Sequence, residues 1–221
     1  QPLSFGLEYK ITEKLVKKVH FLQSPNILSY KIVYLEIIRL EEKKNPFINT
    51  CNFAGIRPVM ADLPYPPVQV RGENQGYADL LRVDYCGAVS ELSAIAQYIN
   101  NENRIAGENC SIAKTILGIA MAEMMHLQKL GELIVLLGGT VDFTAKGRNG
   151  RPVMWTPEYL VLPEQMKKML LAGIESEKEA IRQYEMHMKM IKDDCVNAVL
   201  ERIVKDEEYH IMLLRMLLEE C

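Results

Sequence analysis

Apolar residues recur at three- and four-residue spacing over four long stretches, 74–101, 109–137, 163–191 and 194–220, and each period predicts an amphipathic helix. None of the four shows the alternation of a strand. Short turns between the first and second stretches, and between the third and fourth, predict antiparallel neighbours. Gly138 and Gly139 are placed to close the second helix, since glycine enters the left-handed conformation without a steric cost. Residues 139–162, with Gly147, Gly150, Pro152 and Pro157, form a longer connection able to run the length of a bundle. The pattern therefore predicts an all-α protein, an antiparallel four-helix bundle with one long crossover.

Upstream, residues 6–44 are compatible with helix and broken near Pro25, and read as an N-terminal extension. Pro58, Pro64, Pro66 and Pro67 remove backbone donors and restrict their neighbours, so residues 56–70 read as an extended linker. Two regions are expected, an extension with its linker over 1–70 and the bundle over 71–221. The first residue is Gln1 rather than Met, which leaves the true start open.

Composition narrows the classes. With 221 residues, 48% hydrophobic and 25% charged, the chain can bury a core as an ordinary globular protein does. A net charge of -3, with Lys and Arg dispersed, offers no basic surface for a phosphate backbone, so nucleic acid is not expected as a partner. No long stretch is free of charge, the best being 27–40 with Lys31, Glu36 and Arg39, so no membrane span is expected. The N-terminus lacks the basic start and cleavage pattern of a secretory signal. Cys51, Cys86, Cys110, Cys195 and Cys221 are scattered without a Cys-x-x-Cys pair, which excludes a four-thiolate iron site or a zinc ribbon. Five reduced thiols and a cytoplasmic location are expected.

The chemistry lies in an internal repeat. Residues 87–98 (GAVSELSAIAQY) align with 173–184 (GIESEKEAIRQY), and the helix after each carries a Glu-x-x-His unit, Glu123 to His126 and Glu207 to His210. Glu123 shares its face with Ile116, Ile119, Ala120, Leu127 and Leu130; Glu207 shares its own with Leu200, Ile203 and Leu214. Glu91 and Glu177 lie likewise on apolar faces. Four carboxylates thus project into one core, and each left unpaired costs several kcal/mol. Two divalent cations would resolve the conflict. Oxygen ligands with one imidazole per ion suit iron or manganese. By position Glu123 and Glu207 would bridge, His126 and His210 would each take one ion, and Glu91 and Glu177 would be terminal. Asp206 is placed to accept from the outer nitrogen of a ligand histidine. Tyr98 and Tyr184 read as core aromatics with satisfied hydroxyls beside the centre. Met121, Met124, Met125, Met186, Met188 and Met190 read as gap-filling core or interface residues. Glu175, Glu179 and Glu185 read as a wet face, and His20 and His187 as residues outside the ligand set.

One Glu, then Glu-x-x-His, then a crossover, then the same again resembles the ferritin-like di-metal carboxylate proteins, in particular their rubrerythrin-like and manganese-catalase-like branches. The resemblance runs from about Tyr77 to the C-terminus. It implies a ferritin-like bundle with a pair of iron or manganese ions, acting as an oxidoreductase on hydrogen peroxide or oxygen-derived oxidants, as a peroxidase or a catalase. Peroxide or dioxygen would be the substrate, an external electron donor a partner, and the assembly a homo-oligomer. Two features depart from the rubrerythrin pattern: Ala180 stands where many members carry an extra carboxylate, and no rubredoxin tail follows. Glu207 makes the ligand set more symmetric than that of a manganese catalase, so both branches stay open. The alternative is an iron-oxidising storage protein, or a structural coat protein that retains a metal site.

Overall fold

A computed structural model describes residues 51–147 and 149–221; the expected N-terminal extension, with His20 and the 27–40 stretch, lies outside the described residues. The described helices are α1 (Gln75–Cys86), α2 (Glu91–Ile105), α3 (Cys110–Leu136), α4 (Met166–Met190) and α5 (Asp194–Glu219). Asn74, Asn109 and Asp193 cap α1, α3 and α5, each side-chain oxygen accepting a backbone N–H that the first helical turn leaves free. α2 packs along α3 and α4 along α5, each pair joined by a short turn, and α1 lies against α3. At the end of α3 the chain turns at Gly138, whose φ is +83°, while Gly138 and Gly139 donate back to Val135 and Ile134.

Two features of the secondary structure differ from the sequence expectation. The first helical stretch is broken at residues 87–90. Gly87 closes α1 by donating to Val83 O, and a Cβ there would sit 2.5 Å from that oxygen. Ser90 then caps α2, its hydroxyl accepting from Ser93 N and donating to Gly87 O at 2.7 Å. A serine that bonds the local backbone competes with helix continuation. The consequence is functional, because Glu91 becomes the first residue of α2. The second difference is a two-stranded antiparallel hairpin inside the crossover, β1 (Thr144–Lys146) with β2 (Pro152–Met154), in which Ala145 faces Val153. Beyond it Trp155 Nε1 donates to Ser93 Oγ at 2.9 Å and Val161 N to Gln97 Oε1 at 2.9 Å, which ties the crossover to α2.

Two apolar clusters fill the bundle, one around Leu81, Leu130, Leu133, Ile134, Leu200 and Ile203, the other around Ile112, Ile116, Ile119, Leu170, Ile174 and Leu214. Glu123, His126, Glu177, Glu207 and His210 fall between them along their helices, so the polar cluster has a dry core on either side. Met124, Met186 and Met190 are exposed rather than core-filling, because they sit on the outer faces of α3 and α4. α3, at 27 residues with a mean hydropathy of 1.2 over its most apolar window, is long and apolar enough to cross a membrane by length and composition, and half of that window is buried in the protein.

Residues 51–73 carry no regular secondary structure and belong to the same compact unit as the helices, Thr50–Cys221. They lie on the bundle: Val59 N donates to Gly118 O at 2.9 Å, and Tyr65, Val68 and Val70 pack on the core. Cys51 and Cys110 form a disulfide with Cα atoms 5.2 Å apart, which corrects the expectation of five reduced thiols. The two cysteines are 59 residues apart in sequence and meet only because the chain before Val59 returns to the start of α3. Cys86, Cys195 and Cys221 are free.

Candidate metal centre

All six acidic and imidazole side chains singled out in the repeat are buried and meet at one place. Glu91 comes from the first turn of α2, Glu123 and His126 from α3, Glu177 from α4, and Glu207 and His210 from α5. They form two overlapping groups, Glu91, Glu123, His126 and Glu207, and Glu123, Glu177, Glu207 and His210, with candidate ligand atoms within 4.8 Å of one another in each. Glu123 and Glu207 belong to both. The rings of His126 and His210 stack with centroids 6.1 Å apart.

Both imidazoles are oriented alike. His126 Nδ1 lies 2.8 Å from Glu123 Oε2, 3.3 Å from Glu207 Oε1 and 3.5 Å from Glu91 Oε2. His210 Nδ1 lies 3.0 Å from Glu207 Oε2, 3.1 Å from Glu123 Oε1 and 3.7 Å from Glu177 Oε1. One ring nitrogen can donate one proton, so neither satisfies the oxygens around it. Glu123 Oε1 has no hydrogen-bond donor other than the contested His210 Nδ1. The outer nitrogens are occupied elsewhere. His210 Nε2 is 2.7 Å from the Val59 carbonyl, which can only accept, so Nε2 carries the proton. His126 Nε2 is 3.1 Å from Asp206 Oδ2. In the neutral imidazole each Nδ1 lone pair is then the one facing the carboxylates, as a metal-binding tautomer requires. Without a cation, burial would lower both imidazoles, but the carboxylates outweigh it and raise them well above their ordinary value.

Charge crowding shapes the acids. Burial, then Glu207 and Glu177, push Glu123 well above the ordinary carboxylate range. Burial and Glu207 push Glu177 up to about 7. Burial would also raise Glu207, but His126 and His210 outweigh it and hold this group down at about 2. The carboxylates accordingly ionise unequally, the expected outcome when like charges share a dry site. A pair of divalent cations fits the arrangement: hard oxygen donors, one imidazole in each group, two carboxylates common to both, and a buried oxygen without a donor of its own.

Tyr98 donates to Glu177 and Tyr184 to Glu91, so both are buried aromatics whose hydroxyls are satisfied by the cluster's carboxylates. Asp206, where the sequence placed it, accepts from His126 and also from Tyr65 at 2.6 Å and Ala61 N at 2.7 Å, with Arg202 Nη1 2.7 Å away. Burial raises Asp206, and hydrogen bonds from His126, Tyr65 and Arg202 overcome it and hold the acid below its ordinary range. Sequence reading missed Val59, Tyr65 and Arg202. Only Arg202 left a signal, being one helical turn before Asp206; a backbone carbonyl leaves none. His187, expected to be structural or exposed and no ligand, is buried outside the cluster, its Nδ1 2.7 Å from Asp84 Oδ2. A cavity of about 100 Å³ between α2, α4 and the crossover reaches Glu91, Glu177 and Glu207, and Ala94, Tyr159, Val161 and Ala180 line it.

The rubrerythrin family model matches residues 87–218. A probable manganese catalase of Clostridium acetobutylicum is 28% identical over 167 residues, covering 67% of this chain and 72% of that protein. Among solved structures, KatB, a manganese catalase from Anabaena, is 25% identical with a TM-score of 0.65, covering 72% of this chain and 78% of its own. The bacterioferritin BfrA of Mycobacterium tuberculosis, 23% identical over 67% of this chain and 87% of its own, shares the fold with a TM-score of 0.55.

Proposed function

This chain belongs to the rubrerythrin family, within the ferritin-like fold, and from that premise we propose that it is a two-metal oxidoreductase that consumes hydrogen peroxide by catalase-type disproportionation. The observation that carries the reading is the pair of imidazole Nδ1 atoms turned into a buried cluster of four carboxylates, with both outer nitrogens held. Glu91, Glu123, His126 and Glu207 would hold one ion, and Glu123, Glu177, Glu207 and His210 the other. When bound, two redox-active ions exchange electrons with peroxide, one peroxide being reduced to two waters and another oxidised to dioxygen, so no outside reductant is needed. Manganese is supported by the two manganese catalases among the relatives.

The protein's own groups then have defined tasks. Tyr98 and Tyr184 hold the Glu177 and Glu91 carboxylates from across the bundle. The apolar clusters on either side exclude bulk water. The cavity of about 100 Å³ at Ala94 and Ala180 has room for a molecule of peroxide size beside Glu91, Glu177 and Glu207.

A second reading, an iron-loaded peroxidase served by an external electron donor, is favoured by the symmetric ligand pair in which Glu207 mirrors Glu123. Purified protein loaded with Mn(II) or Fe(II) separates the cases. Two ions per chain and dioxygen release from peroxide support the catalase. Peroxide loss without dioxygen, and only with an added reductant, supports the peroxidase. Iron uptake far beyond two ions per chain, in a large hollow assembly, points to storage. Glu123→Ala should abolish turnover, and a full rate in that variant, or a folded wild type that takes up no ion as a mere coat protein would, counts against the centre.

A further inference from the structure

The internal repeat that pairs Glu123 with Glu207 and His126 with His210 also pairs Gly118 with Arg202 and Ala122 with Asp206. In the second half these are a bonded couple, Arg202 Nη1 lying 2.7 Å from Asp206 Oδ1, and Asp206 supplies the acceptor for His126 Nε2. In the first half both are small and buried. Alanine at 122 has no oxygen to offer His210, so the symmetric acceptor is missing.

Residues 57–65 fill that place. Val59 donates its N–H to Gly118 O at 2.9 Å and accepts from His210 Nε2 at 2.7 Å. A Cβ on Gly118 would stand 2.5 Å from Val59 Cγ2 and 3.1 Å from Arg57 O, so the glycine is what lets this backbone approach. The same segment then crosses to α5. Ala61 N donates to Asp206 Oδ1 at 2.7 Å, Tyr65 donates to Asp206 Oδ2 at 2.6 Å, and Arg202 donates to Ala61 O at 2.9 Å and Leu63 O at 3.0 Å. The disulfide between Cys51 and Cys110 fastens the approach to this segment onto the first residue of α3.

We propose that residues 57–65 are a positioning strap for both ligand histidines, bonding His210 directly through the Val59 carbonyl and His126 through Asp206. This rests on the two-metal reading above. By holding each Nε2 proton outward, the strap keeps each Nδ1 lone pair directed at an ion, and loss of such outer partners weakens metal binding about tenfold or more.

The test uses the full chain loaded with Mn(II), as wild type, Gly118→Ala, Ala61→Pro and the control Gly131→Ala, whose Cβ would meet only Tyr85 Cε2 at an ordinary 3.5 Å. Ions per chain, the rate of Mn(II) loss to EDTA, and the rise in Tm on loading are measured. Gly118→Ala and Ala61→Pro should release metal about tenfold faster or more and gain less Tm on loading than wild type, with Gly131→Ala unchanged. A purely structural strap would instead lower the Tm of the metal-free and loaded protein in parallel with release unchanged, and that result overturns the proposal. So does wild-type release from folded variants. If Gly118→Ala fails to fold, Ala61→Pro decides, since it removes one strap donor outside the helices. A wild type that binds no ion overturns the two-metal reading itself and the strap's role with it.

Discussion

The hydroxyl of Tyr98 on α2 donates to the Glu177 carboxylate on α4. Tyr184 on α4 returns the same bond to Glu91 on α2, so the internal repeat is realised as a reciprocal pair of cross-bundle hydrogen bonds. Burial, then the neighbouring carboxylates, keep both phenols far above their ordinary value, and both remain donors. Removing a donor from a buried charged acceptor costs about 1–3 kcal/mol. Tyr98→Phe and Tyr184→Phe should each destabilise the protein by about that amount in urea titrations, and by similar amounts to each other. Neither should reduce the number of bound ions. Unchanged stability in both would mean the carboxylates find other donors.

How far this arrangement could be read beforehand depends on where its information sits. The six clustered side chains were legible because each lies at helical spacing and is repeated in the two halves, and Asp206 because it adjoins Glu207. The break before Glu91 was not, since apolar periodicity carries on through 74–101 while Gly87 and Ser90 act locally on the backbone. The hairpin and the strap were hidden for a related reason. Their contacts are backbone groups, or residues distant in sequence such as Cys51 and Cys110, and neither leaves a periodic trace.

Small residues line part of the cavity beside the cluster. Ala180 occupies one wall of the 100 Å³ cavity that reaches Glu177, and Ala94 lies in the same lining on α2. Leucine at 180, one turn after Glu177 on α4, would fill much of this space. Ala180→Leu should keep two ions per chain and lose peroxide turnover about tenfold or more, a size effect in line with the sensitivity of rate to misplaced substrate. Oxygen-electrode rates set beside metal analysis check it. Full turnover would place the entrance elsewhere.

The end of α3 depends on a left-handed residue. Gly138 has φ +83°, and any side chain there meets the steric penalty of that region, about 1–2 kcal/mol. Its Cβ would also come within 3.3 Å of the Glu73 side chain, a flexible tip that can move aside. Gly138→Ala should therefore destabilise by about 1–2 kcal/mol through the backbone alone. In contrast, Gly131→Ala inside α3 should stabilise by about 0.5–1 kcal/mol, because alanine is the better helix former and has room. Paired thermal melts of the two variants give opposite signs if this account of the helix end holds.

The thiols offer a check that needs no metal. Cys51 and Cys110 are bonded while Cys86, Cys195 and Cys221 are free, so protein denatured without reductant should show three reactive thiols and, after reduction, five. In the folded protein Cys86 should lag behind Cys195 and Cys221. Burial pushes its thiol up to about 11, Asp142 adding to the effect and Arg82 opposing it. The thiolate is the nucleophile, and with that value roughly one Cys86 in a thousand is ionised at pH 8. Because the folded value is raised, the protonated form persists as pH rises past the ordinary thiol range. Alkylation of Cys86 by iodoacetamide should then keep increasing by about tenfold per pH unit from pH 8 to pH 10, where an exposed cysteine levels off. A plateau near pH 9 would mean that α1 opens faster than the reagent attacks, and that Cys86 reacts from an open state instead of from beside Arg82 and Asp142.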